Sequence, residues 1–131
     1  LDSSVIIAYK NADDTNHIKA VEIFQKLSKG EFGKGVISEF IFSEVTTVLL
    51  LRKGLKVAEN VGNILLDAKE IEIIKASDLF ERTWEVFNSQ KNTVFSFVDA
   101  SNLACMEQMK ISKIATFDKD FLKIKIVDVV K

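Results

Sequence analysis

Four carboxylates in this chain keep apolar company. Asp2 stands in "LDSSVIIAY", Glu44 in "FIFSEVTTVLLL", Asp99 in "FSFVDASNLA" and Asp118 in "IATFDKDF". A carboxylate removed from water without a partner costs roughly several kcal/mol or takes up a proton. Most other acids in the chain have lysines, asparagines or further acids beside them, as solvated faces do. Structural explanations exist for three of the four. Asp2 can cap a helix. Asp99 falls in the first turn of one, where the helix dipole favours a carboxylate by about 0.3–1 kcal/mol. Asp118, with Asp120, suits a turn. Glu44 is harder to explain, because it sits about two turns into its helix, past any cap. If the four meet, they repel one another unless a cation joins them. The matching cation is hard and oxygen-loving, Mg²⁺ or Mn²⁺. A zinc set is missing, because the single histidine, His17, and the single cysteine, Cys105, are far apart in sequence.

The elements that must carry these acids follow from apolar spacing and turn signals. Asp2 and two serines follow a strand end and open a first helix, with Ser3 or Ser4 as a cap. "HIKAVEIFQKL" has helical spacing and ends at the glycines of "SKGEFGKG". "GVIS" is a short strand. A helix capped by Ser38 and stopped at Gly54 carries Glu44. "LKVAENVGNILLDAK" is another helix, and "EIEIIKA" is the clearest strand. "SDLFERTWEVFNSQK" predicts a helix capped by Ser77, with Trp84 and Phe87 in the core. Ser96 to Lys110 predicts the helix that holds Asp99. "KIATF" and "IKIVDVV" close the chain as strands. This alternation argues for a parallel sheet with helices on both faces, in one domain spanning residues 1–131. Ligands of such sheets bind beyond the carboxyl ends of the strands. Asp2 and Asp118 follow strands, and Asp99 opens a helix on that same edge.

Bulk properties narrow the function. Of 131 residues, 47% are hydrophobic and 28% charged, the profile of a soluble globular domain. No apolar run reaches the roughly 18 residues of a membrane helix. A net charge of −1 excludes a protein that grips nucleic acid by bulk charge, so any such contact needs a local patch. A lone cysteine fits a reducing cytoplasm and, in its apolar helical setting, a packing role.

The four motifs, in order, resemble those of PIN domains, most closely the single-domain ribonuclease toxins of the VapC type. "LDSSVIIAY" resembles the opening Asp and small hydroxyl residue. "ISEFIFSEVTTVL" resembles the helix with one acid, matched by Glu44 and not by Glu39. "FVDASNLA" resembles the Asp-Ala pair at a helix start, and "IATFDKDF" the closing Thr-x-Asp-x-Asp-Phe. The resemblance implies a three-layer α/β/α fold around a mainly parallel five-stranded sheet. It also implies an endoribonuclease that uses one or two Mg²⁺ or Mn²⁺ ions, a homodimer, and an antitoxin protein that blocks the site. Carried over, Asp2, Glu44, Asp99 and Asp118 are the catalytic, metal-holding acids. Ser4 and Thr116 support them, and Asp120 is a further acid near the site.

Such a carboxylate set suits hydrolysis of RNA phosphodiesters, with bound ions activating water and offsetting phosphate charge. Bases near the acids would grip phosphates: Arg52 and Lys53 with Lys56, and Lys119 with Lys123 and Lys125. Charge runs of this kind are also ordinary solvated faces. His17 resembles a helix-start position with a structural role. Two alternatives come from other classes. One is a PIN-fold module that binds metal, RNA or a protein without catalysis. The other is a receiver-type signalling domain, disfavoured because serines, not a second acid, follow Asp2.

Overall fold

A computed structural model describes residues 1–131. Its elements are α1 (Ser3–Lys10), α2 (His17–Ser28), β1 (Gly35–Ser38), α3 (Glu39–Lys53), α4 (Leu55–Asp67) and β2 (Ile71–Ile74). A 3-10 turn (Ala76–Leu79), α5 (Phe80–Asn88), α6 (Phe97–Met109), β3 (Lys113–Ala115), a second 3-10 turn (Lys119–Lys123) and β4 (Asp128–Val130) follow.

The boundaries have local causes. The Ser38 hydroxyl accepts from the Ile41 N–H at 3.2 Å and opens α3. Gly54, at φ 90°, ends α3 and lets the chain turn straight into α4. Ser96 caps α6, which starts next to the predicted boundary. Ser77, in contrast, caps nothing. Its N–H and that of Ala76 donate to the Glu39 carboxylate at 2.8 and 2.6 Å, which draws residues 76–79 into a 3-10 turn. Helix α5 therefore starts later, at Phe80. The closing strand is shorter than its apolar run, because Lys125 and Ile126 form a turn in which Val127 N donates to Ile124 O at 3.2 Å.

β1 pairs with β2 and β3 with β4, both in parallel. Between the pairs lie Leu1 and Asp2. The Leu1 nitrogen donates to Val36 O at 2.7 Å, and Asp2 N donates to Ala115 O at 2.9 Å. The structure thus has four strands in two parallel pairs where five in one sheet were expected. The physical reason is that two residues make one ladder bond to each side, too few to register as a strand.

Neighbouring residues of β3 show that helices cover both faces. Ile114 packs with Phe95, Met106 and Phe121, whereas Ala115 packs with Val5, Ala8, Ala20 and Ile23. A third cluster joins Ile6 and Ile37 to Ile41, Val45, Leu49, Val61 and Leu65 of α3 and α4. These clusters are the α/β core. Two aromatics of α5 fall outside it, and Phe80 is 59% exposed. Trp84 was expected inside and is 51% exposed, stacked on half-buried Phe87 at 5.6 Å.

Candidate active site

Asp2 holds the N-cap position of α1, yet its side chain caps no helix N–H. It turns inward instead. Its Oδ2 accepts from Ser4 Oγ at 2.6 Å and from Thr116 Oγ1 at 2.8 Å. Asn102 Nδ2 approaches Oδ1 at 3.4 Å. The residue is only 3% exposed, and no lysine, arginine or histidine pairs with it. Hydroxyls and an amide are thus the only side-chain groups that compensate this buried anion.

The two hydroxyls also receive backbone donors. Ser4 Oγ accepts from Phe117 N at 3.1 Å, and Thr116 Oγ1 accepts from Asp118 N at 3.0 Å. Each hydroxyl proton is already given to Asp2, so the 3.5 Å contact between the two oxygens carries none. The start of α1 is in this way tied to the segment after β3, which carries Asp118.

Asp99 and Asp118 hold their own turns. Asp99 Oδ2 accepts from Ser96 N at 2.8 Å and Ser96 Oγ at 2.7 Å, closing a capping box. Asp118 Oδ1 accepts from Asp120 N at 2.9 Å. The structural explanations of both residues are therefore correct, but each uses one oxygen. Asp99 Oδ1 and Asp118 Oδ2 accept no hydrogen bond from the protein. Burial pushes the Asp99 carboxyl above its ordinary range, and the charges of Asp2 and Asp118 add to this against the pull of the Ser96 bonds. Asp99 thus lies within electrostatic reach of Asp2 and Asp118.

Glu44 is half-buried on α3 and makes no hydrogen bond or ion pair. It lines one depression with Phe40 and Phe97, and another with Ser3, Ser4 and Arg52. The expected meeting of all four acids is only partly realised, since no three of these groups gather closely enough to hold an ion as placed. The reason is local: Asp99 and Asp118 are folded back onto the N–H groups of their own turns. The donor set nevertheless fits a hard divalent cation. It is all oxygen, it is negatively charged, and it holds a buried carboxylate without a cationic side chain beside it.

Asp120 has partners of its own. Its carboxylate accepts from Val94 N at 2.6 Å and pairs with Lys123, so it ties down the segment before α6, while its N–H donates to Asp118. Lys123 also donates to Asn92 O. Of the predicted phosphate-gripping bases, Arg52 lines the Glu44 depression. Lys119 is exposed beside Asp118, and Lys53 is exposed at the end of α3. His17 is structural, with Nδ1 2.9 Å from Ala8 O. Cys105 is buried, which pushes its thiol up to about 11. Sequence reasoning missed Asn102, although its spacing of three from Asp99 puts both on one helix face.

The sequence pattern of the PIN domain matches residues 1–127. The chain belongs to the PIN domain family. This PIN domain is of the VapC type, which sets the receiver alternative aside. It is similar to the 23S rRNA-specific endonuclease VapC20 of two Mycobacterium tuberculosis strains, CDC 1551 / Oshkosh and ATCC 25618 / H37Rv. The identity is 30% over 130 residues, covering 98% of this chain and 95% of each relative. The crystal structure of Mycobacterium tuberculosis VapC20, a sarcin-ricin-loop-cleaving toxin, superposes with a TM-score of 0.82 at 28% identity. That likeness covers 96% of this chain and 94% of the other.

Thr116→Val removes a donor to Asp2 and the acceptor of Asp118 N. It should cost about 1–3 kcal/mol in urea unfolding, and a loss under about 0.5 kcal/mol would contradict the role given to this hydroxyl. A second prediction concerns charge at Asp99. Its raised folded-state pKa means that folding disfavours the ionised form. That penalty is absent below the ordinary value of 3.8 and complete above the folded value. In EDTA at pH 7, Asp99→Asn should therefore melt at or above the wild-type Tm, with the difference shrinking as the pH falls. A variant that melts lower at pH 7, by the same margin at every pH, would refute it.

Proposed function

We propose that this PIN domain is a metal-dependent endoribonuclease and the toxin of a toxin–antitoxin pair, acting in the cytoplasm. The observation that carries the reading is the buried Asp2. Its charge has no cationic side chain, and it acts on Asp99 together with that of Asp118. The naming of VapC20 as a 23S rRNA-specific endonuclease supports RNA as the substrate.

In this reading Asp2, Asp99 and Asp118 hold one or two Mg²⁺ or Mn²⁺ ions, and Glu44 completes the site from α3. Such ions, when bound, activate water and offset charge on the phosphate. The chain's own residues orient the parts. Ser4 and Thr116 fix Asp2 Oδ2, which leaves Oδ1 with only the long Asn102 contact. Thr116 also holds the backbone of Asp118, and the capping box fixes where Asp99 can reach. Asp120 is a positioning residue, because it anchors the segment that leads into α6. Arg52, Lys53 and Lys119 would hold RNA phosphates.

The five-stranded sheet is part of the proposal, supported by Leu1 and Asp2 bonding to both neighbouring strands. So is a single domain over residues 1–131. The chain would form a homodimer and bind an antitoxin protein. Exposed Leu51, Leu55 and Leu66, at 80, 69 and 62%, offer apolar surface on α3 and α4 for such partners. No helix of the chain is long and apolar enough to cross a membrane.

The folded-back carboxylates of Asp99 and Asp118 favour one other reading, a module that binds RNA or a partner without cutting. One assay separates the two. Purified protein, free of inhibitor, is incubated with labelled RNA in Mg²⁺, in Mn²⁺ and in EDTA. The nuclease reading predicts metal-dependent cleavage that Asp99→Asn lowers by about a hundredfold or more. Cleavage that persists in EDTA, or full activity in the variant, would refute it.

A further inference from the structure

Beside Ser4, and reaching Glu44, lies a depression of about 350 Å³. Its lining includes Ser4, Glu44, Asp14, Asn16, Arg52 and Phe117. Ser4 connects it to the candidate active site, because the same hydroxyl donates to Asp2 and accepts from Phe117 N. The size lies near the lower end for small-ligand sites, roughly 300–1,000 Å³.

Three of these side chains have unused hydrogen-bonding capacity. Arg52 enters none of the chain's ion pairs, although Glu44 and Asp14 line the same space. An unpaired guanidinium in a polar depression is suited to a phosphate. Asn16 holds the N-cap position of α2, where its side chain would normally bond a helix N–H, and it bonds none. Asp14 is fixed by accepting from Asn16 N through Oδ1 at 2.8 Å, which leaves Oδ2 without a donor.

We propose that this depression is a guanine-selective nucleotide subsite, in which Asp14 and Asn16 read the base and Arg52 holds a phosphate next to the scissile one. The proposal rests on the ribonuclease reading above. A carboxylate accepts two parallel donors. Guanine alone among the four RNA bases presents adjacent donors, N1–H and N2–H₂, on its Watson–Crick edge. Adenine, cytosine and uracil each place an acceptor beside their donor, which a carboxylate repels. Asn16 Nδ2 can donate to guanine O6 or N7. Phe117, half-buried, offers a ring on which the base can stack.

The test is binding without cleavage. In EDTA, fluorescence anisotropy compares short uridine oligomers carrying one central guanosine, adenosine or cytidine with the all-uridine oligomer. Wild type should bind the guanosine oligomer about tenfold more tightly than the others. Asp14→Asn keeps the Oδ1 acceptor and should erase that preference while leaving the all-uridine affinity unchanged. Arg52→Ala should weaken all four by a similar factor of about ten. Equal affinities in wild type, a guanine preference that survives Asp14→Asn, or an Asp14→Asn loss shared by all four oligomers would overturn the subsite. Cleavage of RNA in Mn²⁺ is measured on the same protein. If cleavage occurs without guanine preference, the subsite alone fails. If neither cleavage nor binding occurs, the ribonuclease reading fails with it.

Discussion

The site depends on one buried charge, the Asp2 carboxylate held by two hydroxyls and an amide. Asp2 comes from the stub between the strand pairs, Ser4 from α1, Asn102 from α6 and Thr116 from the end of β3. Four parts of the chain meet on one residue, so any change there is felt in the sheet and in two helices. A cationic partner would neutralise Asp2 more simply, and no such side chain is present. The side chains that bond Asp2 are polar but uncharged. Their role is preorganisation: oxygen donors fixed before the substrate arrives.

The remaining acids divide their capacity between folding and chemistry. Asp99 closes a capping box with one oxygen, and Asp118 caps a 3-10 turn with one. Each residue is locally justified, which makes these acids easy to mistake for ordinary caps. The free oxygens, the raised proton affinity of Asp99 and the nearby charges distinguish them. Asp120 shows the reverse case. It sits two residues from Asp118 in the same motif, yet Val94 and Lys123 take up its carboxylate. A repeated acid in a motif can therefore build the frame around a site without entering it.

Much of this was legible in the sequence because the signals are local. Ser38, Gly54 and Ser96 act through bonds or backbone angles within a few residues, and their helices begin or end where predicted. Asp2, Glu44, Asp99 and Asp118 stood out because their neighbours are apolar. What was missed depends on distant partners. Ser77 failed as a cap because Glu39, from another element, holds the N–H groups of Ala76 and Ser77, and Ser77 lies inside a 3-10 turn and not at a helix start. Trp84 has helical spacing, but spacing does not say what lies against that side. Asn102 shares a face with Asp99, and only the fold brings Asp2 beside it. The fifth strand came from the family resemblance and not from periodicity, and only Leu1 and Asp2, with one ladder bond to each side, stand in its place.

The most direct test of the account is a calorimetric titration of Mn²⁺ into folded protein, wild type beside Asp2→Asn. Circular dichroism on both samples would show that the fold is retained. If the buried carboxylate is the centre of a cation site, wild type binds one or two ions and the near-isosteric variant binds at least about tenfold more weakly. Equal binding by both proteins, or no binding by folded wild type, would contradict the role assigned to Asp2.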